Sequence, residues 1–215
     1  MLSDHSRTID ATKILTRREL AQVLADLKRK ASRSPNTRLN LILVRLACCY
    51  GLRVSEIAGL QIADVRVEVS RPHLRIRRGA AKGAKPRMVP LWWDQGTLAD
   101  LKAWKTERLA HGALPEEPLA GCLQAKRKGT LLSRHTLRKR FRTACKILGP
   151  ERVAMLTIHH GRHTFISHAL AGLRTLAEVR DAAGHANVSI TSAYLHDAVD
   201  DDVVGDLFRY EIGIH

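Results

Sequence analysis

Apolar positions recur along the chain at two different periods. Leu20, Val23, Leu24 and Leu27 return at helical spacing behind Thr16-Arg17-Arg18-Glu19, which has the spacing of a capping box, so a helix is predicted to about Lys30. Ser32 to Asn36 reads as a loop. The run from Leu39 to Tyr50 then predicts a buried helix that stops at Gly51, where a left-handed cap costs nothing. A short helix from Ser55 to about Leu60 follows.

The period then changes to two. Val65, Val67 and Val69 alternate with polar residues, Leu74 and Ile76 do the same, and Met88-Val89-Pro90-Leu91 is short and apolar. These predict three strands of a small antiparallel sheet, with the Gly- and Lys-rich segment from Gly79 to Lys85 as the turn before the third. Helical spacing returns from Gln95 to His111 (Leu98, Leu101, Trp104, Arg108). Ala113 to Thr130 holds two prolines and two glycines and reads as a loop. Ser133 caps a helix whose Leu137, Phe141, Ala144, Cys145 and Leu148 form one face, ending at Gly149-Pro150. Short helices are predicted near His160–Ala171, Thr175–Ala182 and Ser189–Tyr194. The expected fold class is α+β, mostly helical with a small three-stranded antiparallel sheet.

Composition narrows the picture little and charge narrows it a great deal. The 215 residues, 45% hydrophobic and 27% charged, suit one globular domain. Leu41-Ile42-Leu43-Val44, broken by Arg45, is far short of the roughly 20 apolar residues of a membrane span. Without an N-terminal signal-like apolar region, an intracellular, cytoplasmic protein is expected. Cys48, Cys49, Cys122 and Cys145 form no CxxC pair and read as small buried hydrophobes.

The formal net charge is +15, and it is concentrated. The segment from Arg66 to Arg87 carries +7 and that from Lys126 to Arg152 carries +9, while the tail after Tyr194 carries −5. Solubility alone does not require such patches, so they point to a polyanion partner, most often nucleic acid. Arg134, Arg138, Lys139 and Arg142 lie behind the apolar stripe of their helix, in position to meet a duplex.

His159-His160-Gly161-Arg162-His163 puts histidines at helical spacing. It lacks the glutamate of HExxH and has no acid nearby, so no metal site is expected. In order along the chain come Tyr50-Gly51-Leu52-Arg53-Val54-Ser55-Glu56-Ile57-Ala58-Gly59-Leu60, then Lys82-Gly83-Ala84-Lys85-Pro86-Arg87-Met88-Val89-Pro90-Leu91, then His159 to Thr164, then Gly184-His185 with Tyr194 nine residues on. Together they resemble the tyrosine recombinase, or phage integrase, family over the catalytic domain from about Leu15 to Tyr194.

That resemblance implies the DNA breaking-rejoining enzyme fold and a site-specific recombinase that needs no cofactor. It implies that Arg53 and Arg162 grip the scissile phosphate, with His159 and His185 beside them. Lys82 is implied as the proton donor to the departing oxygen, with Lys85 its competitor, and Tyr194 as the nucleophile. Glu56, one turn after Arg53, is implied to orient it. Lys85 and Arg87 join Arg134, Arg138, Lys139 and Arg142 as expected DNA contacts.

The chemistry suits these residue types. A phenol can hold the broken strand as a 3′-phosphotyrosyl ester, and guanidiniums stay charged and donate in forks to a phosphoryl transition state. Tyr194 needs help to lose its proton, from the field of the arginines or from a base such as His159.

Gly161 stands where the family usually has a bulky apolar residue, so looser packing beneath Arg162 is expected. Residues 1–14 read as an N-terminal extension, 15–194 as the catalytic domain and 195–215 as an acidic tail, packing either in cis or into a neighbouring protomer. The helical core-binding domain that usually completes a clamp around double-stranded DNA is expected to be absent. The resemblance implies a tetramer on paired sites when active. Two other readings stay open: a catalytically idle DNA-binding regulator, and a type IB topoisomerase-like enzyme.

Overall fold

The computed structural model describes residues 11–78, 86–185, 188–192 and 194. Lys82, Lys85, residues 1–10 and the 195–215 tail therefore lie outside the described residues.

Helix α1 (Arg17–Ala31) begins with the expected reciprocal cap: the Glu19 amide donates to Thr16 Oγ1 at 3.1 Å, and the Thr16 amide donates to Glu19 Oε2 at 2.9 Å. Its apolar stripe, Leu20, Val23, Leu24 and Leu27, is buried against α2 (Pro35–Val44). Every residue of α2 from Leu39 to Val44 is buried, because the helix is packed by α1 on one side and by later helices on others. The long run predicted to Tyr50 does not stay α-helical. Arg45–Cys49 forms a π-helical turn, a wider winding often found near functional sites, before Gly51 ends the element at φ +63°.

Arg45 is deep in the core. Its Nη1 lies 3.1 Å from Asp94 Oδ2 and its Nε 2.9 Å from Asp100 Oδ2, so the charge that interrupts the apolar run is neutralised in place.

After α3 (Val54–Gly59), strands β1 (Val65–Arg66), β2 (His73–Ile76) and β3 (Arg87–Pro90) form an antiparallel sheet in sequence order. The register sets Val65 opposite Leu74, and Leu74 opposite Val89. Those three side chains are buried on one face. The first strand is shorter than its alternation predicts: it pairs with β2 only through Val65 and Arg66, and Val69 lies exposed beyond the paired stretch. On the third, Leu91 belongs to a following 3₁₀ turn.

Helix α4 (Gln95–Ala110) is capped by Asp94 and buries Leu101, Trp104 and Arg108. Helix α5 (Arg134–Ala144) is capped by Ser133 Oγ and buries Leu137, Phe141 and Ala144 against α2. Gly149 at φ +87° then redirects the chain, and Pro150 opens a further helix, α6 (Pro150–Met155), at the position where proline suits a first turn. The sequence pattern predicts only a stop at this proline.

Helices α7 (Ile158–Ala171), α8 (Leu176–Ala183) and α9 (Val188–Ser192) complete the fold. Gly161 of α7 abuts the π-turn: a Cβ there would lie 2.9 Å from Ala47 Cβ and 3.0 Å from Cys48 Sγ. The packing beneath Arg162 is thus tight, not loose; the missing side chain is replaced by close approach of two backbones. All four cysteines are buried and free. No helix among the described residues is long and apolar enough to cross a membrane.

Candidate active site

Arg53 stands at the N-cap of α3, where its own amide donates to Glu56 Oε2 at 2.8 Å. Its guanidinium points along the same helix end, donating to Glu56 Oε1 at 3.2 Å and to the Gly184 carbonyl at 3.1 Å. Glu56 is the pivot. Its side chain is wholly buried and also receives Arg87 in a two-pronged pair, at 2.7 and 3.1 Å. Burial alone would raise the Glu56 pKa, but Arg87 and then Arg53 outweigh it and hold the carboxyl below its usual range.

The sequence places Arg87 among the expected DNA contacts. Its guanidinium instead turns inward, 8% exposed, pairing Glu56 and donating through Nε to the Ala182 carbonyl at 2.8 Å. A residue with its donors so committed is a brace between β3, α3 and the end of α8. The space left by Gly184, which caps α8 at φ +67°, lets it fit: a Cβ there would lie 2.8 Å from Arg87 Cζ.

Arg162 comes from α7 and is buried. Nη1 donates to the Gly51 carbonyl at 2.7 Å, at the end of the π-turn, while Nη2 is buried without a hydrogen-bond partner among the described residues. Burial, and after it the charge of Arg53, lowers its pKa to about 9, so it remains a cation at neutral pH but an incompletely compensated one. Such a group favours an incoming anion.

Three histidines complete the cluster. His159 is exposed on the first turn of α7, and burial of part of its ring with the charges of Arg162 and Arg53 lowers its pKa. His185, just past α8, meets Thr191 Oγ1 through Nδ1 at 2.9 Å, and burial followed by Arg162 and Arg53 pushes its pKa down to about 3. His163 has its Nδ1 2.6 Å from the hydroxyl of Tyr194, with the two rings stacked at 5.7 Å. Tyr194 itself is buried, 6% exposed.

The structure therefore gathers Arg53, His159, Arg162, His185 and Tyr194 with Glu56 beneath them. Sequence reasoning missed His163, which carried a signal: it sits four residues after His159, on the same helical face, and next to Arg162. Arg134, Arg138, Lys139 and Arg142 are exposed on α5, and no hydrogen bond among the described residues joins them to the cluster. Arg142 is partly committed, its Nε donating to the Leu156 carbonyl at 3.0 Å. No group of three or more His, Cys, Asp or Glu among the described residues is arranged to hold a metal ion.

Cationic and imidazole groups around a buried phenol, with one carboxylate tied down behind them, make a site for an anion that reacts with a nucleophile. The family model of the phage integrase family matches residues 13–200. The chain belongs to the phage integrase family. Among its relatives is the tyrosine recombinase XerD of Halalkalibacterium halodurans, 28% identical over 91% of this chain and 64% of that protein. The tyrosine recombinase XerC of Corynebacterium efficiens is 30% identical over 74% of this chain and 46% of that protein. This member of the phage integrase family thus spans only part of the length of these relatives. The XerH recombinase in a pre-cleavage complex with its difH substrate superposes with a TM-score of 0.65 at 26% identity, covering 86% of this chain and 50% of that one. The XerA recombinase shares the fold, with a TM-score of 0.66 at 22% identity over 85% of this chain and 58% of that one.

Proposed function

We propose that the chain is the catalytic domain of a site-specific DNA recombinase that cleaves and rejoins strands through a 3′-phosphotyrosine on Tyr194. The observation that carries this reading is one cationic cluster in which Tyr194, 2.6 Å from His163 through its hydroxyl, lies near enough to Arg162 to act on its charge, while Arg162 and Arg53 in turn act on His159 and His185.

In this reading a scissile phosphate of double-stranded DNA takes the free side of Arg53 and the unpartnered Nη2 of Arg162. Charge building on the non-bridging oxygens is met by donors already oriented, Arg162 by the Gly51 carbonyl and Arg53 by Glu56. His159 and His185 approach the same oxygens. The Tyr194 oxygen attacks phosphorus, the bond to the 5′ oxygen breaks, and Lys82 of the K-G-x-K-x-R motif gives that oxygen its proton, with Lys85 as the alternative donor. Attack by the 5′ hydroxyl of a partner strand reverses the chemistry and frees Tyr194. Exchange between two duplexes requires protomers on paired sites, a homotetramer when active, working in the cytoplasm where the DNA is. No step calls for a cofactor.

The test is a nicked duplex that on cleavage loses the short fragment bearing the freed 5′ hydroxyl and so traps the adduct, resolved on a denaturing gel. A covalent complex from the wild type and none from Tyr194→Phe supports the reading. Salt-sensitive DNA binding without any adduct would make the chain an integrase-derived DNA-binding regulator. Adduct with plasmid relaxation but no recombinant product would make it topoisomerase-like.

A further inference from the structure

We propose that His163 is the base that takes the proton of the Tyr194 hydroxyl during strand cleavage. The proposal rests on Tyr194 being the nucleophile and assigns the partner that activates it.

The geometry distinguishes His163 from its neighbours. Its Nδ1 is 2.6 Å from Tyr194 Oη, within reach for direct transfer, and the stacked rings hold that approach. His159, the base that the sequence resemblance suggests, stands edge-on to His163 with ring centroids 4.8 Å apart, and no hydrogen bond among the described residues joins it to Tyr194. His185 turns its Nδ1 to Thr191. The phenol is the stronger donor of the pair, so it donates and Nδ1 accepts, which leaves the imidazole proton on Nε2.

The surroundings keep His163 in the form that can accept. On its own helix it faces His159, His160 and Arg162; from the N-terminal segment comes Lys13, and from the loop after α8 His185. Burial, followed by His159, His160, Arg162 and Lys13, lowers its pKa to about 4, so it is neutral at physiological pH. A phosphodiester lying against Arg162 offsets the cationic field that depresses His163, and so raises its basicity when substrate arrives.

The step balances without a further reactant. The Oη–H bond breaks and its proton goes to Nδ1; the Oη–P bond forms with that electron pair; the P–O5′ bond breaks, and the 5′ oxygen takes a proton from Lys82. Religation runs the transfers backward and returns the proton from His163 to Tyr194.

Adduct formation by the full chain on the nicked duplex provides the assay, with His163→Ala, His163→Asn and Lys82→Ala compared with wild type. Melting temperature and DNA affinity are measured for each. Loss of a general base predicts a fall of about 10²–10⁴-fold in the cleavage rate of His163→Ala. Asparagine keeps a hydrogen-bond acceptor but cannot carry the proton, so His163→Asn is expected to stay slow; recovery there would reduce His163 to positioning and overturn the proposal. A duplex with sulfur in place of the bridging 5′ oxygen needs no leaving-group acid, so it should rescue Lys82→Ala and leave His163→Ala slow. Replacing Tyr194 by the more acidic 3,5-difluorotyrosine should restore His163→Ala far more than it changes the wild type.

Equal rates for wild type and His163→Ala, or no selective effect of the fluorinated tyrosine, would overturn the proposal alone. No adduct from the wild type would overturn the strand-transfer reading and this assignment with it. Should His163→Ala fail to fold, His163→Asn carries the same comparison.

Discussion

Arg87 and Glu56 meet in a two-pronged ion pair of 2.7 and 3.1 Å, with the carboxylate fully enclosed. Because Glu56 also binds Arg53 through both backbone and side chain, β3 and Arg53 are joined by a single carboxylate. Removing Arg87 leaves that carboxylate buried with only Arg53 to compensate it. Arg87→Ala is expected to destabilise the fold by about 3–5 kcal/mol in urea denaturation, with Arg87→Lys intermediate because an ammonium cannot fork. Lower DNA affinity at unchanged stability would instead mark Arg87 as a DNA contact.

Gly161 is the second position where packing makes a sharp demand. Alanine in a helix interior gains up to about 1 kcal/mol over glycine. Here its Cβ would lie 2.9 Å from Ala47 Cβ and 3.1 Å from the Ala47 backbone carbon, and backbone does not swing aside. The clash wins: Gly161→Ala should lower stability by about 1–2 kcal/mol and Gly161→Leu by about 3 kcal/mol. Both are read from the shift of the denaturation midpoint. An unchanged midpoint in Gly161→Leu would mean the π-turn can move away from α7.

Stability should fall as pH drops below neutrality, before the carboxylates titrate. His163 and His185 have folded pKa values pushed from 6.5 to about 4 and about 3 by burial and their cationic neighbours. The folded state therefore binds these protons less readily than the unfolded chain. Their contribution is complete above pH 6.5 and is lost as pH falls from there toward 4 and then 3. Each group adds at most about 1.4 kcal/mol per pH unit in that window, less after solvent screening. Melting temperatures measured from pH 7.5 down to 5 should decline, and His185→Asn should flatten the decline. Equal slopes for wild type and variant would contradict the assignment.

The basic face of α5 should act on DNA affinity, while its two tethered arginines act on stability. Arg134, Arg138 and Lys139 are exposed, so an alanine at a residue that contacts phosphate should weaken binding to any sequence and reduce the salt slope by about 1. Arg140 instead donates to Asn40 Oδ1 at 3.0 Å and Asn36 Oδ1 at 2.7 Å, bridging α5 to α2. Arg140→Ala is expected to cost about 1–3 kcal/mol of stability with the salt slope unchanged. Filter binding across a salt series, beside thermal melts, separates the two classes.

Much of this protein was legible in its sequence because the signals are local. The capping box at Thr16, the stripe Leu20 to Leu27, the cap at Ser133 and the alternation of Leu74 and Ile76 depend on neighbours a few residues away, and each formed where it was expected. The motifs holding Arg53, Glu56, His159, Arg162, His185 and Tyr194 are equally local strings, and the resemblance they carry is to the family whose model matches residues 13–200.

What tertiary structure decided involves partners far apart in the chain. Whether Arg87 faces DNA or Glu56 depends on 31 intervening residues folding back, and the charge count was the same either way. Val69 had the strand pattern but found no pairing partner, and the helix after Val44 widened into a π-turn that abuts Gly161. The same holds for the tyrosine: the family resemblance implies that Tyr194 is a nucleophile, which would need a base. Only the packing of α7 against the segment after α9 put the Nδ1 of His163, not a nitrogen of His159, at hydrogen-bond distance from its hydroxyl. Residue type follows from the chemistry a site must perform, but which of several adjacent histidines performs it is set by the direction each side chain takes from its helix.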